Sequence, residues 1–185
     1  MLDGWKPEPT LTEIPYTKLL TFPVSDHRLD HRARPSARRR RSKKGVEDQA
    51  LGRSRGGLSS KLHLAVRGLG CPVHFTLTAG QKGDAPQAGA LIENLPAGIV
   101  IADTAYDSDH LRRIIADKGA VPVIPNNPSR ARKYPIDKHL YAQRHLIECC
   151  FSKLKQFRRV ATRYEKTARN YLAVVTLAAT ILWLR

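Results

Sequence analysis

The stretch "KLHLAVRGLGCPVHFTLT", Lys61–Thr78, decides the fold class because it predicts a β-hairpin. Apolar and polar side chains alternate over Lys61–Arg67, which is the period of a strand with one buried face. The glycine-containing "GLGC" at Gly68–Cys71 turns the chain, and "PVHFTLT" at Pro72–Thr78 supplies the partner strand.

Helical and strand patterns alternate after the hairpin. The sequence predicts a helix at 85–95 that begins at Asp84 as N-cap, a buried strand at Ile99–Ala102, a capped helix at 108–119 and a short strand at 120–125. A hairpin followed by alternating helices and strands indicates an α/β fold, with a sheet flanked by helices.

The stretch "YAQRHLIECCFSKLKQFRR", residues 141–159, predicts one long amphipathic helix. At a helical step of about 100° per residue, its polar front is a narrow wedge opposite the apolar back. The wedge contains Tyr141, Arg144, Glu148, Lys155 and Arg159. One interpretation is a solvated face with an Arg144–Glu148 pair, which contributes only a few tenths of a kcal/mol. The other is that one carboxylate among cations serves a chemical purpose.

The charge of the chain indicates a polyanionic partner. The chain has 185 residues, enough for one domain with a hydrophobic core, and a formal net charge of +16 with a pI near 10.3. Such a balance is unusual for a metabolic enzyme and favours nucleic acid, whose phosphates release counterions when they bind Lys and Arg.

The cysteines and the apolar segments point to an intracellular protein. Three cysteines form neither a disulfide framework nor a zinc pattern, and the N-terminus has no signal-peptide pattern. The apolar stretch Tyr171–Leu184 is short for a membrane span, so we expect a buried C-terminal helix, no membrane association and a cytoplasmic location.

The N-terminal part has a different composition from the rest. We predict that residues 1–44 form an irregular, basic, disordered segment, and that residues 45–185 form the folded domain. The polar loop at 45–57 adds Arg53 and Arg55, which are candidates for contacts with DNA.

Asp103 is the first candidate for chemistry, because it follows the buried strand Ile99–Ala102, and the carboxyl ends of strands in open α/β sheets carry reactive groups. It could also simply cap the next turn. Together with Glu148 it could hold Mg²⁺ or Mn²⁺, since such ions bind a few carboxylates plus phosphate oxygens. A pair of such ions activates water or a DNA 3′-hydroxyl and stabilises the leaving oxygen.

The signature Y-x2-R-x3-E-x6-K at Tyr141, Arg144, Glu148 and Lys155 resembles that of bacterial insertion-sequence transposases of the DDE class. The blocks "QALGRSRGGLSSKLHLAV", "TAGQKGD", "IADTAYDSD" and "KLKQFRRVATRYEKTARNYL" also resemble that family, in its order, from about Gly45 to the C-terminus. The resemblance implies an RNase H-like mixed sheet flanked by helices.

The same resemblance implies roles for these residues. Asp103 would be the second acidic metal ligand and Glu148 the third, while Tyr141, Arg144 and Lys155 would contact DNA near the cut, with Arg159 as a further cation. The implied partners are double-stranded DNA at terminal inverted repeats and target sites, bound by a homo-oligomer, so that the protein would be associated with the nucleoid when bound.

The chain departs from the family where the first catalytic Asp should stand. The family carries a segment like DSTIVRAHQHAAGA there, whereas this chain has "RLDHRARPSARRRR" at 28–41. GC-rich codons for that stretch, read one nucleotide later, encode DSTIVRAHQHAAG. We therefore hypothesise a shifted reading frame upstream of about Arg41 and a sheet that is incomplete at its N-terminal strand; Asp26 and Asp30 are alternative ligands.

Three functions remain open at this point. The chain is a transposase that cleaves and transfers DNA strands with Mg²⁺ or Mn²⁺, or a basic DNA-binding remnant of a transposase without catalysis. A structural RNA-binding protein would explain the charge but not Asp103 and Glu148.

Overall fold

The computed structural model describes residues 16–26, 49–54 and 57–184, the first of these ranges through its backbone. These residues form an α/β structure. The strands are β1 Tyr16–Asp26, β2 Gly52–Ser54, β3 Gly57–Arg67, β4 Cys71–Ala79, β5 Ile99–Ala102, β6 Val121–Val123 and β7 Thr162–Arg163. The helices are α1 Ala85–Ile92, α2 Asp109–Asp117, α3 Lys138–Ala142, α4 His145–Lys155, α5 Arg158–Ala161 and α6 Ala168–Trp183.

The strands form one mixed sheet. Five strands lie in the spatial order β4–β3–β1–β5–β6, where β3 is antiparallel to both neighbours and β1, β5 and β6 are parallel. The short strands β2 and β7 pair with the ends of β3 and β1. The expectation of an α/β fold with a sheet flanked by helices is confirmed, as is the hairpin.

Helices cover both faces of the sheet. Successive residues of β3 point to opposite sides, so they pack against different helices. Ala65 packs with α1 and α2, whereas Leu64 and Val66 pack with α4, α5 and α6. In β5, Ile99 and Ile101 lie on the face that also contacts α3. The prediction that β5 is buried is confirmed, whereas β3, predicted with one buried face, is covered on both.

The structure differs from the expectation of irregular chain within 1–44. Residues 16–26 form β1, which fills the centre of the sheet, so the expected gap at the N-terminal strand is wrong. The prolines in this region argue against a strand. The second edge of β3 nevertheless needs a partner for its backbone groups, and tertiary context of this kind overrides local propensity. The remaining residues of 1–44, including Asp30, lie outside the described ranges.

The single helix predicted for 141–159 is three helices. Between α3 and α4 the chain stays helical but uses tighter hydrogen bonds from residue i to i−3, such as Arg144 N–H to Tyr141 O. Phe157 is extended, with φ −78° and ψ 102°, and separates α4 from α5. The helical wedge therefore does not include Arg159.

The predicted N-cap position of Asp84 on α1 is confirmed, but its carboxylate makes no capping hydrogen bond and instead accepts a 2.8 Å hydrogen bond from Lys61 Nζ. The expectation of a buried C-terminal helix is corrected. The C-terminal helix α6 is buried on one face, but Leu177 is 67% exposed. Within the described ranges, the structure contains no helix that is long and apolar enough to cross a membrane.

Candidate functional site

Asp103 lies at the carboxyl end of β5, next to the parallel strands β1 and β6. It caps the 3-10 turn Thr104–Tyr106, and its carboxylate accepts the Thr104 N–H. The alternation of β5 places Asp103 on the side of Ile99 and Ile101, which is the side of α3 and α4. Its side chain remains 39% exposed, so the carboxylate caps the turn and still reaches solvent.

Arg144 joins Asp103 to Glu148. Glu148 lies in the first turn of α4, where the helix dipole favours a negative charge. One nitrogen of the Arg144 guanidinium lies 2.8 Å from Glu148 Oε1, and another lies 3.7 Å from Asp103 Oδ2. Two carboxylates that are far apart in sequence therefore converge on one cation at the rim of the sheet.

Tyr141 completes this group, which we call the carboxylate site: Asp103, Tyr141, Arg144 and Glu148. Its ring centre lies 5.6 Å from the Arg144 guanidinium carbon. Burial, together with the negative charges of Asp103 and Glu148, raises the pKa of Tyr141 against the opposing effect of Arg144. The phenol thus stays protonated at neutral pH and can donate a hydrogen bond.

The other predicted cations lie away from these contacts. Lys155 ends α4, about 10 Å along the helix axis from Glu148. Arg159 pairs with Glu165 at 3.4 Å and is 69% exposed. Arg53 is exposed on β2, and Arg55 lies outside the described residues.

The carboxylate site fits a divalent ion in part. Within the described ranges, no group of three or more His, Cys, Asp or Glu side chains could hold a metal ion. Asp103 and Glu148 nevertheless both contact the Arg144 guanidinium. A divalent metal ion can be held by one or two such carboxylates together with substrate phosphates. The donor set of this site suits Mg²⁺ or Mn²⁺ when phosphate oxygens complete it.

The position of a third acid on β1 is occupied by an apolar residue. Leu19 pairs with Ala102, so Leu20 comes level with Asp103. The only acidic residue of β1 is Asp26, six positions further on and about 20 Å along the strand, where it pairs with Arg163 of β7. Asp26 therefore lies too far along the strand to join Asp103 and Glu148.

A second acidic centre, Asp107, follows the same 3-10 turn. Its side chain has no exposed surface and accepts hydrogen bonds from Arg112 Nε at 2.9 Å, Arg130 Nε at 2.8 Å and the Asn127 N–H at 2.7 Å. Burial alone would raise the pKa of Asp107, but these hydrogen bonds together lower it below its usual value. The Asp107 carboxylate therefore accepts its hydrogen bonds from the protein itself and is closed to a ligand from outside.

Tyr134 packs under the cations of this second centre. The guanidinium carbons of Arg112, Arg130 and Arg132 lie 4.4, 5.2 and 5.3 Å from its ring centre, and its hydroxyl donates to Asp109. We call Asp107, Asp109, Arg112, Arg130 and Tyr134 the Asp107 cluster. The sequence signal for this cluster is the basic stretch 126–137, with Arg130, Arg132 and Lys133, but it has no helical or strand period that would reveal its partners.

Known proteins resemble this chain over most of its length. A family model described as "Transposase DDE domain" matches residues 25–183. A Brucella ovis protein named as a transposase for insertion sequence element IS6501 is 46% identical over 130 residues, which are 69% of this chain and all of that protein. A Burkholderia cepacia protein named as a transposase for insertion sequence element IS402 is 29% identical over 135 residues, 66% of this chain and 62% of that protein.

Proposed function

The chain belongs to the family of transposase DDE domains, and on this premise we propose that it cleaves and transfers DNA strands at the ends of an insertion sequence. The observation that carries this proposal is the convergence of Asp103 and Glu148 on Arg144 at the carboxyl end of β5. A partly exposed acidic pair at a sheet rim, in a strongly basic chain, suits phosphoryl transfer on a polyanion.

We propose that the mixed sheet is an RNase H-like core. The central position of β1, the antiparallel β3–β4 hairpin on one side and the parallel β5 and β6 on the other support this assignment. In such a core the carboxyl ends of β1 and β5 face the same rim, which is where Asp103 lies.

Asp103 and Glu148 would hold Mg²⁺ or Mn²⁺. An ion of this kind, when bound, activates a water or a 3′-hydroxyl and stabilises the leaving oxygen. Arg144 offsets the repulsion between the two carboxylates, and its position at the start of α4 lets its guanidinium turn towards a phosphate. Tyr141, protonated at neutral pH, donates to the same phosphate or to a terminal base.

The remaining predicted cations would contact the DNA backbone further from the cut. Lys155, Arg159 and Arg53 are all exposed, and Arg55 is assigned from the sequence alone. The substrate would be double-stranded DNA with terminal inverted repeats and a target site, and a homo-oligomer would hold the two ends.

A second candidate function is DNA binding without cleavage. The register of β1 favours it, because the position level with Asp103, where a third carboxylate would complete the metal site, is a leucine in the sequence, Leu20. In that case Asp103 and Glu148 would be remnants, and affinity for DNA would depend on salt but not on either carboxylate.

The deciding experiment is cleavage of a labelled duplex from the end of the element that encodes the chain, with Mg²⁺ or Mn²⁺. We expect strand cleavage by the wild type and its loss to background in Glu148→Gln, because the variant removes one of two metal ligands. Glu93→Gln, which changes an exposed carboxylate after α1, should cleave like the wild type.

The two candidate functions give different results in this assay. Binding of the duplex without cleavage by the wild type, in either metal, would support the non-catalytic function. Cleavage that persists in Glu148→Gln would exclude the carboxylate site as the catalytic centre.

A further inference from the structure

The loop between β6 and α3 is built as a rigid platform. We call residues 126–137, "NNPSRARKYPID", the basic loop. The Asn126 side chain closes it by accepting from Tyr134 N–H at 2.8 Å and donating to Tyr134 O at 2.7 Å. Lys133 Nζ donates to the carbonyls of Asn127 and Pro128, both at 3.0 Å. Such internal bonds fix the loop before any partner arrives.

The Asp107 cluster fastens this platform to the rest of the fold. Arg130 binds both Asp107 and Asp109, and the Asn127 N–H donates to Asp107. Arg112 is buried and links Asp107 to the carbonyl of Ile124 at the end of β6. The loop is thus anchored at its start, at its middle and through Tyr134 near its end.

This region carries more positive charge than its carboxylates neutralise. Four carboxylates, of Asp107, Asp109, Asp117 and Asp137, stand against five cations on α2 and the basic loop. Asp107 and Asp109 pair with Arg112 and Arg130. The cations are Arg112, Arg113, Arg130, Arg132 and Lys133. Within the part of the chain that the structure describes, Arg113 and Arg132 have no carboxylate at ion-pair distance: Arg113 donates to the Asp109 carbonyl, and Arg132 lies over Tyr134.

Arg113 and Arg132 line the same groove. It lies between α2 and the basic loop, has a volume of about 540 Å³ and is bordered by Tyr134, Pro122 and Asp109. The Asp109 carboxylate is held by Arg130 and by the Tyr134 hydroxyl. Two guanidinium groups that are unneutralised, on a fixed platform and open to solvent make a binding place for phosphate oxygens.

We propose that this groove binds the phosphate backbone of duplex DNA through Arg113 and Arg132, and that Asp107 positions the basic loop for this contact. The proposal rests on the proposed action on DNA and adds a surface outside the carboxylate site. The two surfaces are connected along the chain, because Asp103 and Asp107 flank one 3-10 turn and the basic loop leads directly into α3 with Tyr141.

The test measures the binding of the full chain to a short DNA duplex of arbitrary sequence over a range of salt concentrations. For wild type, Arg113→Ala and Arg132→Ala, the slope of log K against log[salt] gives the number of neutralised phosphates. Each variant should weaken binding severalfold and make the slope shallower by about 1, as expected for the loss of one phosphate contact. Arg132→Lys keeps the charge and should retain most of the affinity.

Arg169→Ala is the matched control, since Arg169 is exposed on α6, which packs beside β4 at the opposite edge of the sheet. Unchanged binding and slope in this control, with losses in Arg113→Ala and Arg132→Ala, support the groove. Wild-type slopes in both groove variants, or an equal loss in Arg169→Ala, would overturn it while leaving the proposed function intact. Failure of the wild type to bind DNA in a salt-dependent manner would overturn the proposed function as well.

Discussion

Asp103 and Asp107 flank the same 3-10 turn but have opposite environments. Asp103 is 39% exposed and caps its turn; among the residues that the structure describes, its other partner is the Arg144 guanidinium, at 3.7 Å. Asp107 has no exposed side-chain surface and accepts bonds from two arginines and a backbone N–H, all within 2.9 Å. Only the first carboxylate has free lone pairs for a ligand from outside.

Asp107 therefore has a structural role, whereas the Asp103 carboxylate is accessible to a ligand. A buried carboxylate that is saturated by cations stabilises its surroundings, and removal of one partner leaves the others buried without compensation. An exposed carboxylate with one distant cation contributes little to stability. The two aspartates should therefore respond in opposite ways to the same substitution.

The largest expected effect is on the free energy of unfolding. Asp107→Asn should lower it by about 3–5 kcal/mol, because Arg112 stays buried without its charge partner. Asp103→Asn should change it by about 1 kcal/mol or less. Urea titration of the two full-length variants measures both values.

The proposed groove gives this comparison a second readout. Asp107→Asn, at temperatures where it remains folded, should also weaken DNA binding, whereas Asp103→Asn should not. Equal losses of stability in the two variants would show that burial does not distinguish the two aspartates.

The sequence predicted one of these environments and missed the other. Asp103 was identified because it ends an apolar strand, and Glu148 because its spacing from Tyr141, Arg144 and Lys155 is regular. One partner of Asp107 is Arg112 on α2, five positions away. The other two, Asn127 and Arg130, lie twenty and twenty-three positions away in a loop without periodicity, so no local pattern reveals them. Tertiary packing determines which residues come into contact when a loop closes, and the local sequence pattern does not show this.

The same limit applies to the fold. The hairpin, β5 and α2 follow from local periodicity and capping, such as the Ser108 side chain that accepts from Leu111 N–H. β1 was missed because Pro23 argues against a strand, although β3 and β5 stabilise it from both sides. The break at Phe157 was missed because the apolar periodicity continues across it.

A smaller effect is the pH dependence of the free energy of unfolding, which differs between the buried His63 and the Asp107 cluster. Burial lowers the pKa of His63 to about 4, although Asp84 acts in the opposite direction, and His63 shares a 2.8 Å hydrogen bond with Thr78. The unfolded chain binds a proton near pH 6.5 and the folded chain does not. Stability should therefore fall by roughly 3 kcal/mol at most between pH 6.5 and 4.

Asp107 contributes in a different pH range. Its pKa is lowered in the fold, so its stabilisation is present above the usual Asp pKa and is lost only as the pH falls below about 4. The free energy of unfolding, measured at pH values from 7 to 3, should fall in two steps as the pH is lowered. His63→Gln should remove the upper step, and the exposed His139→Gln should keep it. A single step below pH 4 in the wild type would contradict the role of His63.

The smallest effect concerns the cation that occupies the carboxylate site. The two ion pairs of Arg144 are partly exposed and are worth about 0.2–1 kcal/mol each. A divalent ion must compete with this guanidinium for Asp103 and Glu148. Arg144→Gln should therefore bind Mn²⁺ about three- to tenfold more tightly than the wild type in the absence of DNA.

The measurement is a titration of free Mn²⁺ by electron paramagnetic resonance, which does not depend on catalysis. Arg159→Gln removes an equal charge from α5 and should leave Mn²⁺ affinity nearly unchanged, because Arg159 pairs with Glu165 and contacts neither carboxylate. Weaker Mn²⁺ binding in Arg144→Gln would mean that Arg144 orders the two acids for the metal rather than competing with it. Asp103 would then depend on Arg144 for its geometry, as Asp107 depends on Arg112 and Arg130, and the contrast between the two aspartates would be one of exposure alone.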